Sequence, residues 1–402
     1  MRPDSPEDRS ARNVKASSAT TRRRPGGSTP ALALFVLVAA FASVGRAATF
    51  PELYTVSVVP DPAATNVRAA AVQHAMTVLL TRITGRRDPA SQEETAGLIR
   101  NANDYVTSYQ SATDEVRVGF SRSGVNDALT SLNLPIWGAE RPSTLVWIAA
   151  DLGGGQRTEI MADTVTPTRR AGEVLGVAAF PLAENAQATF DGILDELITA
   201  ADERGLPIVF PLLDAVDRMQ VRFADVWGGF DEFVARAAER YPVDAVLIGR
   251  VAVTTFGLEV RWTLLRGERR ESAVTADVRS GMDWLADGFA AQFTTVGGTR
   301  LTRVTIRGIE SHADFGRVFE YLQSVSVIDG ASVIPESWSQ GSLVVGLAAR
   351  GDDETLRQYL ELDGVLRAVP AGGVGVPVDA ESMGLLEFVP GWHADPASTG
   401  SP

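Results

Sequence analysis

Residues 245–278 read AVLIGRVAVTTFGLEVRWTLLRGERRESAVTADV. Within this stretch Leu258, Val260, Trp262 and Leu264 alternate with Glu259, Arg261 and Thr263, the period-two pattern of a strand with one buried face. Residues 266–270 form a charged turn, so a partner strand over 272–278 is expected to fold back as a hairpin. The uninterrupted apolar run at 245–248 suits a strand covered on both faces. Helical spacing flanks the strands, with 231–241 before them and Met282, Leu285, Phe289 and Phe293 after. A sheet bracketed by helices follows, and with it an α/β (α+β) fold built from several small mixed sheets with covering helices.

Working toward the amino terminus, the pattern repeats on a smaller scale. A strand at 53–59 precedes a helix capped by Thr65 or Asn66, buried through Val72, Met76, Leu79, Leu80 and Ile83, and stopped by Gly85. A helix over 91–103, strands over 105–111 and 115–120, a helix over 124–132 and an apolar strand at 145–150 complete an amino-terminal unit spanning 48–151. The middle unit spans 152–298, with a loop insertion near 165–185 and an amphipathic helix carrying Phe190, Ile193, Leu194 and Leu197. After the hinge at Gly297 and Gly298, residues 299–370 give strand, helix, two strands, helix and strand, the ferredoxin-like βαββαβ order. Residues 371–402 are Gly- and Pro-rich and are expected as a flexible tail.

Residues 1–47 read as a basic leader and secretory signal. An apolar run of 14 residues from Ala31 to Val44 is short for a bilayer anchor, and Gly45 and Ala47 are suitably small for a cleavage site before Ala48. An uncleaved leader would instead tether the chain to the inner membrane. Residues 1–47 hold eight basic and three acidic side chains, which leaves 29 basic against 47 acidic beyond them, a net charge of −18. Such a surface repels phosphate backbones, so no nucleic-acid partner is expected. With no cysteine, thiol catalysis, disulfides and cysteine metal sites are excluded.

Five blocks carry a resemblance: RAAAVQHAMTVLLTRITGRRD (68–88), LPIWGAERPSTLVWIA (134–149), GLPIVFPLLD (205–214), FADVWGGFDE (223–232) and YPVDAVLIGRV (241–251). Together they resemble the proteobacterial envelope family known as domain of unknown function 2066, which implies a periplasmic or membrane-associated protein without assigned chemistry. The stretch 243–275 is similar to the small α/β domain of the Tol translocation protein TolB and the curli secretion lipoprotein. The first unit is similar to the amino-terminal domain of a flagellar assembly protein. These likenesses imply envelope assembly rather than catalysis, although a shared fold does not carry a function.

His74, His312 and His393 lack a second histidine at helical spacing, and no GxSxG or HExxH motif is present. The glycines at 153–155 have no following lysine, so they mark a linker. FADVWGGFDE is the segment with the densest chemistry: Asp225, Asp231 and Glu232 flank a turn anchored by Trp227 and Phe230, which suits either a carboxylate pair or an oxygen-ligand calcium site. The plainer reading is a glycine turn with packed aromatics and Asp231 as a helix cap. Trp137, in IWGAERP, is either an exposed aromatic contact or an inter-domain plug. Arg266, Arg269 and Arg270 cluster at a hairpin tip, as a lipid contact or as charge guarding an edge.

The residues selected as a partner or ligand surface are therefore Trp137, Asp225, Trp227, Asp231 and Glu232. The expectation is a periplasmic, non-enzymatic binding or assembly module, with an envelope protein as partner and no catalytic residue, cofactor or metal. The rival is a carboxylate-dependent envelope hydrolase centred on Asp225, Asp231 and Glu232, with Asp214 and Asp217 nearby in sequence. A membrane-tethered structural protein that keeps its leader helix is the third alternative.

Overall fold

A computed structural model describes residues 48–49, 52–112, 114–153, 155–160, 184–254, 257–369 and 386–393. The expected leader, residues 165–183 of the insertion expected near 165–185 and most of the tail lie outside the described residues, while residues 184–185 are helical. The described chain is a mixed α+β assembly of small sheets, none closed into a barrel.

The chain enters through β1 (Ala48–Thr49) and β2 (Thr55–Val58), then forms α1 (Val67–Thr84), α2 (Glu93–Arg100), β3 (Val106–Ser111), β4 (Val116–Phe120) and α3 (Arg122–Ser131). Asn66 Oδ1 accepts from Ala69 N–H at 3.0 Å to start α1, and Gly85 ends it at φ 68°. Strands β2, β4 and β3 form an antiparallel sheet in that order. Val56, Val58, Val116 and Val118 on the sheet pack with Val72, Met76, Leu79, Leu80 and Ile83 of α1, so the helical stripe read from the sequence faces the pleated surface.

Two short strands, β5 (Ile136–Trp137) and β6 (Glu140–Arg141), lead into β7 (Thr144–Asp151). β7 is a central strand of the middle sheet rather than the last strand of the first unit. Its eight residues run parallel to β10 (Ala245–Thr254), from Ala245↔Thr144 to Ala252↔Asp151. Between the two lie β8 (Arg157–Ile160), α4 (Glu184–Arg204), β9 (Ile208–Val209), α5 (Ala215–Gln220), α6 (Phe223–Gly228) and α7 (Asp231–Ala238). β11 (Gly257–Arg266), β12 (Arg269–Thr275) and α8 (Val278–Phe293) follow. The sheet order is β12-β11-β10-β7-β8, with β9 also pairing β7. The hairpin stands as read, but its second strand ends at Thr275, because Asp277 Oδ1 accepts from Ser280 N–H at 2.7 Å and starts α8.

Alternate residues of β7 serve two cores. Val146, Ile148 and Ala150 pack with α4 and α8, through Ile193, Leu197, Leu285 and Phe289. Leu145, Trp147 and Ala149 pack with α5–α7, through Leu213, Val226, Val234 and Ala237. This two-sided burial is why residues 145–150 of β7 and 245–248 of β10 are apolar without interruption.

The third unit adds β13 (Thr294–Thr295), β14 (Thr299–Arg307), α9 (His312–Ser324), β15 (Ile334–Ser339), β16 (Ser342–Arg350), α10 (Asp353–Leu362), β17 (Leu366–Ala368) and β18 (Leu386–Pro390). Its sheet order is β15-β16-β14-β18-β17. The βαββαβ succession is there, but β18 lies between the first and last strands, parallel to β14 and antiparallel to β17. Residues 386–390 are thus sheet rather than tail, because Leu386 and Phe388 have an apolar slot to fill. The Gly297–Gly298 junction is bridged: Tyr359 Oη donates to the Phe293 carbonyl at 2.7 Å, and their rings meet edge to face at 5.5 Å. Among the described residues no helix is long and apolar enough to cross a membrane.

Candidate functional site

The carboxylates singled out at 214–232 sit on the α5–α7 layer, and each has separate work. Asp214 Oδ1 accepts from the N–H groups of Val216 and Asp217, both at 3.0 Å, and caps α5. Arg240 donates to Asp214 at 2.8 and 2.9 Å and holds its carboxyl well below the usual carboxylate range. Asp217 is fully buried and accepts from Tyr241 Oη at 2.6 Å, Arg240 Nη1 at 2.9 Å and Leu213 N–H at 2.9 Å. Burial, with Asp217 as hydrogen-bond partner, pushes the Tyr241 hydroxyl up to about 12.

Asp225 accepts from Arg222 N–H at 2.9 Å and closes the first turn of α6. Trp227 stacks on Phe223 with centroids 5.6 Å apart. Gly229, at φ 77°, makes the turn between α6 and α7. Asp231 is the first helical residue of α7 rather than its cap, which is Phe230, and it bonds Arg270 at 2.5 Å. Glu232 is exposed. Asp225, Asp231 and Glu232 therefore do not come together as a carboxylate pair, and among the described residues no group of three His, Asp or Glu could hold a metal ion. Neighbours in sequence become unlike neighbours in space once a turn and two helix starts intervene.

Trp137 is not a surface residue. It is fully buried in β5, paired with β13, with the Arg141 guanidinium 3.9 Å from its ring. Arg266, at the hairpin tip, lies over the rings of Phe289 and Phe293 at 5.1 and 5.8 Å. His74 and His312 are exposed, and His312 meets Trp338 edge to face at 5.0 Å. Gly153 and Gly155 turn the chain between β7 and β8 at φ 81° and 84°.

Three features escaped the sequence reading. Glu159 on β8 accepts from Trp147 Nε1 at 3.1 Å, and burial pushes its carboxyl up. No signal in an RTE stretch betrays this. The second is the junction of units. Arg82, Arg141 and Arg204 are 2%, 0% and 3% exposed. Arg141 donates to the carbonyl oxygens of Gly138 at 3.0 Å, Arg204 and Gly205 at 3.1 Å, and Arg82 at 2.7 Å. Arg204 binds Asp283 and Asp287, each at 2.7 Å, and the Gly85 carbonyl at 2.9 Å. Apart from that of Gly138, which lies between β5 and β6, these carbonyls belong to the ends of α1 and α4, where helices leave acceptors unsatisfied. Burial pulls the Arg141 guanidinium down to about 9, so it remains a cation at neutral pH.

The third feature is a layer of exposed apolar side chains on and just ahead of α5 and at the start of α7, the helix that carries Asp231. Leu212, Val216, Met219, Phe230 and Phe233 are all exposed, Met219 by 84% and Phe230 by 51%. The opposite side of this layer is the sheet-facing core of Leu213, Val221, Val226 and Val234.

Residues 47–138 match the family model described as a domain of unknown function, DUF8605. This overturns the resemblance to domain of unknown function 2066: the family likeness of the amino-terminal unit is to a different group. The quoted blocks are apolar strands and glycine-stopped helices, patterns that recur wherever helices cover a sheet. No curated protein matches the chain, and no solved structure does.

Proposed function

We propose that this chain is an exported, non-enzymatic binding module of the cell envelope that offers the outward side of α5–α7 to a partner protein. The observation that carries the reading is that Leu212, Val216, Met219, Phe230 and Phe233 are all exposed within residues 212–233, where the rings of Phe230 and Phe233 meet edge to face at 6.4 Å. Clustered apolar exposure of this kind marks interaction surfaces more often than catalytic ones. Trp227, half-buried behind it, and the Asp231–Arg270 pair at 2.5 Å fix the helices that present it. The separate commitments of Asp214, Asp217, Asp225 and Asp231 favour this over carboxylate hydrolysis. Export rests on the apolar run from Ala31 to Val44 and the small residues that follow it.

The test is positional crosslinking in intact envelopes. A photoreactive residue at Met219 or Phe233 captures one defined protein, a residue at Val274 on β12 does not, and Phe230→Glu abolishes capture while leaving the urea midpoint unchanged. Equal capture from all three positions overturns the assigned surface. Full-length chain with its leader intact in the soluble cytosolic fraction overturns the assigned location.

A further inference from the structure

Strand β3 is the edge of its sheet, with β4 on one side and no strand on the other among the described residues. Phe120 N–H of β4 donates to the Tyr54 carbonyl, toward β2, at 2.9 Å. Bonding direction alternates along a strand, so Gly119 and Arg117 turn toward β3 and bond the residues opposite them, Ser108 and Gln110. The next pair keeps the same phase, since Ala112 N–H donates to the Glu115 carbonyl at 2.8 Å. Tyr109 and Ser111 therefore aim both N–H and C=O away from β4. Thr107, Ser108, Gln110 and Ser111 are exposed.

An open edge is a template for another strand unless something guards it. The other edges of the larger described sheets are guarded. β12 opens with Arg269, Arg270 and Glu271, β8 carries Arg157 and Glu159, and β15 holds Pro335 and Glu336 beside a bulge. β9 and β17 are short. β2 has Val56 and Val58 buried, and Arg82 Nη1 donates to its Thr55 carbonyl at 3.0 Å. β3 reads VTSYQS, without charge or proline. Its bulge falls between Val106 and Ser108, at the entry, and residues 108–112 beyond it run in regular register.

We propose that β3 pairs antiparallel with β3 of a second copy of this chain, about a two-fold axis through Gln110. That axis sets Tyr109 opposite the partner's Ser111, and these are the residues whose main-chain groups face outward. Each exchanges N–H and C=O with the other, and symmetry repeats the bonds across the axis. Gln110 meets the partner's Gln110, and a primary amide is donor and acceptor to its own kind. Ser108 meets the partner's Ala112, so both bulges stay outside the paired run. Charge favours this meeting place: residues beyond 47 carry a net charge of −18, so two copies repel over most of their surfaces, and an uncharged edge lets them approach. The ladder joins the two sheets into one. It uses none of the residues on α5–α7, so the dimer forms without occupying the layer assigned to a partner protein.

The test is sedimentation equilibrium on the full chain from about 1 to 300 μM. A reversible dimer with a dissociation constant on the order of 10 μM is expected, in keeping with a small interface. Gln110→Lys and Gln110→Glu each place like charges across the axis and weaken association by about tenfold or more, and an equimolar mixture of the two variants restores it as a heterodimer. Ser111→Pro removes an N–H that β4 does not use, so it abolishes the dimer and leaves the urea midpoint near that of the wild type. Ser272→Lys, on the edge of β12, leaves association unchanged. Gln110 is exposed, so its variants keep the fold and decide the matter even if Ser111→Pro does not fold. A monomer at every concentration, a dimer unchanged in Gln110→Lys, or no recovery in the mixture overturns the proposal.

Discussion

Arg141 Nη2 donates to the carbonyl oxygen of Arg82 at 2.7 Å, so a side chain from β6 closes the end of a helix in the first unit. The same guanidinium takes the carbonyls of Arg204 and Gly205 at the end of α4, which makes it the shared cap of two helices. Replacing it by methionine keeps much of the volume and strands these acceptors without water. Arg141→Met is expected to cost about 3–5 kcal/mol. Arg141→Lys recovers only part, because one ammonium cannot reach carbonyls on two helices at once. Urea unfolding of both variants checks this, and a loss below about 1 kcal/mol in Arg141→Met would remove the arginine from its assigned role.

Trp262 occupies a slot whose two sides are glycines. Gly249 is its cross-strand partner on β10, where a Cβ would lie 2.8 Å from the indole, and a Cβ at Gly281 on α8 would fall inside the indole itself. The ring is fixed in this slot by its Nε1–H, which donates to Thr275 Oγ1 at 2.9 Å. Gly281→Ala improves helix propensity by about 1 kcal/mol, but the overlap forces α8 off the sheet. A net loss of about 1–3 kcal/mol is expected, with a red shift of tryptophan emission as the indole meets water. Trp262→Leu in the same background relieves the overlap and restores part of the loss.

Asp244 supplies the chain's clearest pH dependence. Ser143 N–H donates to its Oδ2 at 2.8 Å, but burial pushes the carboxyl from an ordinary 3.8 to about 6. A raised folded value means that the native state binds the proton more tightly than the unfolded chain does. The stabilisation is therefore full below about pH 4 and is lost as pH rises through 6. Asp244→Asn keeps an acceptor for Ser143 N–H and removes the titration. Relative to this variant, the wild type should lose up to about 3 kcal/mol between pH 4 and pH 6 and then hold level, as read from urea midpoints across that range.

The fold was legible where burial is periodic. Leu258, Val260, Trp262 and Leu264 announced β11, and Val72, Met76, Leu79, Leu80 and Ile83 announced the packed face of α1. Pairing at long range was not. Residues 145–150 read as a buried strand, yet nothing local says that Leu145 lies beside Val246, 101 residues on, rather than in the preceding sheet. Buried arginines are likewise invisible, because Arg82, Arg141 and Arg204 look like surface residues until the helix ends that they cap are brought together. For the candidate site, residues 223–232 read either as convergent carboxylates or as a glycine turn with packed aromatics, and only the three-dimensional pairing separates the two. Asp225 and Asp231 are close along the chain, but one serves α6 and the other Arg270, so proximity in sequence did not become convergence.

Phe388 tests the strand that sequence composition hid. It is fully buried on β18, opposite Ile306 of β14 on one side and Ala368 of β17 on the other. Leu386 and Phe388 alternate with Glu387 and Val389, a half-buried pattern too short to stand out after a Gly- and Pro-rich run. If β18 is an interior strand, Phe388→Ala leaves a cavity in the core shared by the middle and third units and costs about 3–5 kcal/mol. Ending the chain after Val369 goes further, because β14 then loses its parallel neighbour and β17 its sole partner among the described strands. Hydrogen exchange on that truncated chain should show protection lost across β14 and β17 while the antiparallel sheet of β2, β4 and β3 keeps its own. Unchanged protection at β14 would mean that residues 386–390 do not pair there.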